Sequence, residues 1–140
     1  MKTYSGSCHC KAVRFEADLD LGAGTNRCNC SICWKDRTWF AFAKGADRFR
    51  LIEGRDAVSE YRWTPPGREQ AFLSFSFCRT CGIRVFARGE GLEALGGTFH
   101  AIPVTTLDDA TIDELAAGPI HYADGRHNRF DSAPADLRLL

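Results

Sequence analysis

Apolar positions in this chain recur mostly at every second residue, in short runs. Residues 72–77 show this most clearly, setting Leu73, Phe75 and Phe77 on one face and Ser74 and Ser76 on the other. Residues 12–17 alternate in the same way, and residues 39–43 form an aromatic-rich apolar run. Residues 49–52, 58–63, 83–87 and 97–104 complete the set of expected strands. Phe40, Phe42, Phe72, Phe75 and Phe77 are core by this pattern.

Breakers fall between the runs: Gly22 to Gly24, Gly45, Gly54, Pro65-Pro66-Gly67 and Gly89 to Gly91. Pro65-Pro66-Gly67-Arg68 fits a loop between two antiparallel strands. One helix is expected over 110–117. Asp108 and Asp109 would supply its cap and complement its dipole, Ile112 and Leu115 would pack it down, and Gly118-Pro119 would stop it. Beyond Pro119 the chain reads as irregular and polar, with a turn at Asp124-Gly125. The pattern predicts a mainly antiparallel β fold with one short helix, residues 1–140 forming a single domain.

Composition narrows the function classes. The 140 residues carry 18 Lys+Arg against 18 Asp+Glu, so nothing draws the chain globally toward nucleic acid or an anionic membrane. Residues 1–7 lack the apolar core of a secretory signal, and no run of about 18 apolar residues occurs. The expectation is therefore a cytoplasmic protein with no nucleic-acid or membrane partner. No stretch of the sequence specifies an oligomeric state.

The cysteines change the picture most. Seven fall into three clusters: Cys8 and Cys10; Cys28, Cys30 and Cys33; Cys78 and Cys81, followed by Gly82. In a reducing compartment such clusters read as metal ligands or catalysts, and an odd count cannot be consumed by disulfides. Close pairs let one tight turn aim two thiolates at a single ion, and thiolates in tetrahedral array favour zinc. Four cysteines close a structural tetrahedron; the remaining three leave one position open, the pattern of a catalytic site. Spacing alone does not fix the pairing. The simplest partition joins Cys8, Cys10, Cys78 and Cys81, and keeps Cys28, Cys30 and Cys33 whole. The triplet could also be closed by His9, His100, His121 or His127, or hold no metal. A redox role for Cys78 and Cys81 would require them to be metal-free and lacks a strand–motif–helix setting.

Gly6-Ser7-Cys8-His9-Cys10 with Val13 and Phe15, Cys28-Asn29-Cys30-Ser31-Ile32-Cys33, and Phe77-Cys78-Arg79-Thr80-Cys81-Gly82 together resemble the glutathione-dependent formaldehyde-activating enzyme family, whose domain the centromere protein V proteins share. The likeness runs through nearly the whole chain. It implies a β-tent fold of several small antiparallel sheets. It also implies two zinc ions, a structural one on Cys8, Cys10, Cys78 and Cys81, and a catalytic one on Cys28, Cys30 and Cys33. The implied reaction is a carbon–sulfur lyase type: glutathione adds to formaldehyde, giving S-hydroxymethylglutathione. The sequence departs from the family at residues 120–130, which are more polar and basic than the usual apolar, aromatic ending.

A small thiol and an aldehyde are thus the expected partners. Cations should meet the carboxylates of glutathione, with Arg27, Lys35 and Arg37 flanking the triplet, and Arg126, His127 and Arg129 joining if the tail folds over. Trp34 and Trp39 could wall the site or simply pack in the core. The competing reading is a non-enzymatic zinc scaffold for a protein partner; a histidine closing the triplet would favour it.

Overall fold

The computed structural model describes residues 1–67, 69 and 73–140. Arg68, at the end of the expected Pro65–Arg68 loop, and the expected core residue Phe72 lie outside them. Two sheets carry the fold. β1 (Lys2–Ser7), β2 (Arg14–Leu19) and β5 (Phe49–Glu53) form a three-stranded antiparallel sheet in the order β1-β2-β5. β3 (Thr25–Cys28), β4 (Trp39–Lys44), β6 (Val58–Trp63), β7 (Leu73–Cys78), β8 (Arg84–Leu92), β9 (Gly97–Pro103) and β10 (Ile120–Ala123) form a seven-stranded sheet, ordered β10-β3-β4-β9-β8-β7-β6. Its pairings are antiparallel except β10 on β3, which is parallel. The fold is mainly β, as the two-residue periodicity predicts. Among the described residues, no helix is long and apolar enough to cross a membrane.

The core lies between the sheets. Val13, Phe15, Leu19, Val85, Ile102 and Val104 are essentially inaccessible to solvent. Burying each such side chain contributes roughly 1.5–3 kcal/mol. Phe15 packs directly over Gly6, its partner across β1 and β2. Any Cβ at Gly6 would collide with the Phe15 ring, so this glycine is a packing requirement. β4 turns its small residues inward: Ala41 and Ala43 are buried with Ile102 of β9 beside them, which lets β4 approach β2 closely. Its aromatic face looks the other way. Phe40 and Phe42 are only half-buried, and Phe42 stacks edge-on against both Phe40 (5.2 Å) and Phe99 (5.5 Å). Phe77 is half-buried too, because β7 shifts register between Ser76 and Phe77. Phe75 and Ser76 are thereby both buried, which breaks the strict alternation expected there.

The expected helix is present as α2 (Ile112–Ala116), with a different start. Thr111 is the N-cap, in a reciprocal capping box with Glu114. Asp108 and Asp109 instead bind β1: Asp108 accepts from Ser7 Oγ (2.6 Å) and Asp109 from the Ser5 amide (3.0 Å). A second short helix, α1 (Ser31–Asp36), lies inside the cysteine triplet, where the sequence pattern gave no helix signal. Strands β1, β3 and β10 also went unanticipated. They are short and polar, and β10 pairs with a strand more than ninety residues away.

Candidate metal centres

The first cluster sits where two hairpin tips meet, one from each sheet. The β1–β2 connection supplies Cys8 and Cys10, and the β7–β8 connection supplies Cys78 and Cys81. Their four sulfurs lie within 4.8 Å of one another. Cys10 Sγ stands 3.6 Å from both Cys8 Sγ and Cys78 Sγ. A tetrahedron with metal–sulfur bonds of about 2.3 Å has an edge of about 3.8 Å, so the set is compatible with zinc. Both tips are built to turn. Lys11 adopts φ 65° and donates its amide to Cys8 O (3.0 Å). Gly82 adopts φ 74° and donates to Cys78 O (2.8 Å), a left-handed position that suits glycine. The Val13 amide lies 3.3 Å from Cys8 Sγ. Backbone amides of Cys10 and Ile83 draw the Cys81 thiol down to about 6, and those of Cys81 and Thr80 lower Cys78. These amides favour the thiolate, the form that binds metal. Cys78 and Cys81 are thus partners of Cys8 and Cys10, not an isolated redox pair.

The second cluster comes from one loop. Cys28 ends β3, Cys30 caps the N-terminus of α1, and Cys33 lies in its first turn. Their sulfurs also lie within 4.8 Å of one another, with Cys28 and Cys30 buried and Cys33 half-buried. The Cys30 amide reaches Cys28 Sγ at 3.4 Å. Hydrogen bonds from Cys28 and Cys33 hold the Cys30 thiol far below its ordinary range, and the same contacts push Cys33 up. Once one of three crowded thiols ionises, the others resist; a divalent cation among them removes that conflict. A set of three soft sulfurs is compatible with zinc.

Among the described residues, no histidine joins either cluster. His9 is exposed beside the first. His100 is buried, stacked on Phe49 at 4.3 Å and edge-on to Phe86, with Nδ1 lacking a hydrogen bond. His121 contacts Ala23 O (3.2 Å). His127 is held by Asp124, at 2.9 Å from Nδ1 to each carboxylate oxygen.

A shallow cleft opens at the triplet, lined by Arg27, Cys28, Cys33, Trp34, Arg37, Thr38 and Leu140. Of the cations expected there, Arg27 and Arg37 line the cleft and the exposed Lys35 does not. Trp34 is a wall: Arg37 and Arg126 both place their guanidinium groups against its ring, at 5.0 and 5.4 Å. Trp39 belongs to the core, donating from Nε1 to the buried Thr25 hydroxyl (2.7 Å).

The polar tail does fold over the triplet. Gly125 lies so close that an added Cβ would stand 2.6 Å from Cys28 Sγ and 2.8 Å from Cys30 Cβ. Asn29, the residue between Cys28 and Cys30, ties the two segments. Its Nδ2 donates to Asp124 Oδ1 (2.8 Å) and its Oδ1 accepts from the Arg126 amide (2.9 Å). Asp124 is buried, also accepts from Arg129 (2.7 Å), and has its carboxyl drawn down to about 2, foremost by Asn29. Arg84, on β8, is mostly buried, pairs with Asp36 at 3.1 Å and lies over Phe75 at 4.4 Å. Burial lowers its pKa, while Asp36, Cys33 and Cys30 favour its charge. Sequence reasoning missed Asn29, Asp124, Gly125 and Arg84 as site residues. The only signals were the position of Asn29 inside the cysteine motif and the Asp124-Gly125 turn.

The family model described as glutathione-dependent formaldehyde-activating enzyme matches residues 3–121. The chain belongs to this family. The matched region contains all seven cysteines of this formaldehyde-activating family member, while residues 122–140, including the segment that covers the triplet, lie beyond it. A crystal structure of a Rhodobacter sphaeroides protein is similar in fold, with TM-score 0.64 at 24% identity over 84% of this chain and 99% of that chain.

Proposed function

We propose that this protein joins a small thiol, glutathione or a close relative, to an aldehyde such as formaldehyde, as a zinc-dependent carbon–sulfur lyase-type enzyme. Cys8, Cys10, Cys78 and Cys81 hold a structural zinc, and Cys28, Cys30 and Cys33 hold the catalytic one. The carrying observation is the contrast in donor sets: four sulfurs in one cluster, three in a cluster that borders an open cleft, with no histidine among the described residues to close it. Zinc on three thiolates supplies one kind of chemistry, the stabilisation of a substrate thiol as its thiolate near neutral pH.

The chain's own residues do the rest. Arg27 and Arg37 meet the carboxylates of the thiol substrate. Trp34, braced by two guanidinium groups, forms a flat wall that limits water at the sulfurs. Arg84 offsets the negative charge of the triplet from the sheet side. Family membership and the two arginines lining the cleft support the reading of a small anionic thiol as substrate. The test is the rate of adduct formation between glutathione and formaldehyde, measured above the spontaneous rate, for wild type and Cys30→Ser. The proposal expects acceleration by wild type and none by the variant. No acceleration by zinc-loaded wild type with any small thiol sinks it and leaves the protein-binding scaffold.

A further inference from the structure

Residues 136–140 lie beyond the family-matched region and reach back to the cleft at the triplet. Leu140 lines that cleft together with Cys28, Cys33, Trp34 and Arg37. Arg37 Nη2 donates to the Leu139 carbonyl at 2.6 Å. Among the described residues, this is the one hydrogen bond that ties residues 136–140 to the rest of the chain. The others close within the segment: the Leu140 amide donates to Leu137 O (3.1 Å), and Arg138 pairs with Asp136 (2.6 Å). Leu137 and Leu139 are exposed. The hold on this segment is therefore concentrated at Arg37 and in the cleft.

Arg37 is an unusual residue for its place. It ends α1 with φ 56° and ψ 33°, and its amide donates to Cys33 O. A left-handed position after a helix ordinarily goes to glycine or asparagine, and a longer side chain there carries backbone strain. What arginine adds is the guanidinium, which lies 5.0 Å over the Trp34 ring. Among the described residues no Asp or Glu pairs with it, and its hydrogen-bond acceptor is a neutral carbonyl. A carboxylate bonds a guanidinium about twice as strongly as a carbonyl does, and in a matching fork.

Resting on the thiol–aldehyde reading, we propose that residues 137–140 are a strap occupying the carboxylate end of the thiol cleft, with Arg37 as its latch. The Leu139 carbonyl stands where a carboxylate of the substrate thiol binds. The incoming carboxylate takes Arg37 from Leu139, and Leu140 leaves the cleft. Closed strap and bound thiol exclude one another, so the strap lowers the affinity for thiol by the fraction of chains in which it is open.

The test compares the zinc-loaded full chain with a variant lacking residues 137–140. Glutathione binding is read by calorimetry, and KM and kcat are read with glutathione and formaldehyde. Removing the strap should tighten glutathione binding and lower its KM about tenfold, the scale of one charge-assisted hydrogen bond no longer in competition. The change should fall on KM rather than kcat. A second variant, Leu140→Gly, keeps the chain length and should act in the same direction. Arg37→Gly suits the backbone at that position, so it should fold with wild-type zinc content. It should weaken glutathione binding in the full chain and reduce the gain from deleting the strap to less than about twofold. Equal affinity and KM in the full chain and both strap variants overturn the proposal. Weaker binding on deletion also overturns it, since residues 137–140 would then be a wall of the site. So does a gain of the same size in the Arg37→Gly background, which would leave Arg37 no part in the latch. An inactive wild type whose glutathione binding still tightens on deletion overturns only the thiol–aldehyde reading. An active wild type with indifferent strap variants overturns only this inference, and no glutathione binding in any form overturns both.

Discussion

The two cysteine clusters offer the same donor, a cysteine sulfur, in two different settings. The four-cysteine cluster draws on residues seventy positions apart and ties the tip of the small sheet to a tip of the large one. It offers four sulfur donors and is surrounded by backbone amides that favour thiolate. The triplet is local, spanning six residues at the end of β3 and the start of α1. What is long-range there is the covering: the tail returns through β10 and is stapled by Asn29. A closed donor set spanning distant segments stabilises; an open one on a single loop is free to do chemistry.

Breaking each cluster in turn should separate these roles. The largest effect belongs to the clamp. Apparent binding of structural zinc in small domains is worth about 10–16 kcal/mol, comparable to or above the stability of a whole domain. Cys78→Ser should therefore give insoluble or unfolded protein, read by circular dichroism and size exclusion. Cys30→Ser should keep the strand signal and a Tm within a few degrees of wild type, while eliminating activity.

Next comes Gly125→Ala. Its added methyl carbon would stand 2.6 Å from Cys28 Sγ, so the tail must lift or the triplet distort. Loss of zinc from the triplet alone, with the four-cysteine ion retained in native mass spectra, is the expected outcome. Full retention of both ions would show that the tail and triplet are not in contact. A milder version is Asn29→Ala, which removes the side chain that bridges Asp124 and Arg126 and should cost about 1–3 kcal/mol. Limited proteolysis should then cut near residues 124–129 faster than in wild type, without exposing the sites around Cys78.

The smallest effect lies away from both clusters and serves as a control. Burial holds His100 neutral, its pKa drawn down to about 4. A depressed folded value means that stability is full above the unfolded value, about 6.5, and is lost as pH falls from there toward about 4. His100→Phe removes that titration and the unpartnered Nδ1. Wild type should lose stability relative to this variant as pH falls through that window, by thermal melts at matched zinc; parallel pH curves would contradict it.

Legibility in the sequence followed the range of the interactions. Strands β2, β4, β5, β6, β7, β8 and β9 were readable because their apolar patterns are local. The three cysteine clusters were readable from local spacing, whereas their partition was only the simplest one and the one that the family resemblance implies. Residues 2–7 and 120–123 carry no apolar alternation; their strands exist because of partners elsewhere, β2 and β3. Thr111 displaced Asp108 and Asp109 as helix cap because those aspartates were needed at Ser5 and Ser7, a demand invisible along the chain. The same holds for Asp124 and Arg84. Each looks like an ordinary surface charge in the sequence, and each acquires a role only when the fold brings Asn29 or Cys33 beside it.

The central claim is a division of labour between a closed and an open zinc site. Native mass spectrometry of wild type and Cys30→Ser, both purified without chelator, tests it directly. The account predicts two zinc ions per wild-type chain, and one per folded Cys30→Ser chain. One zinc in wild type that added zinc does not raise, or two in the variant, would contradict it.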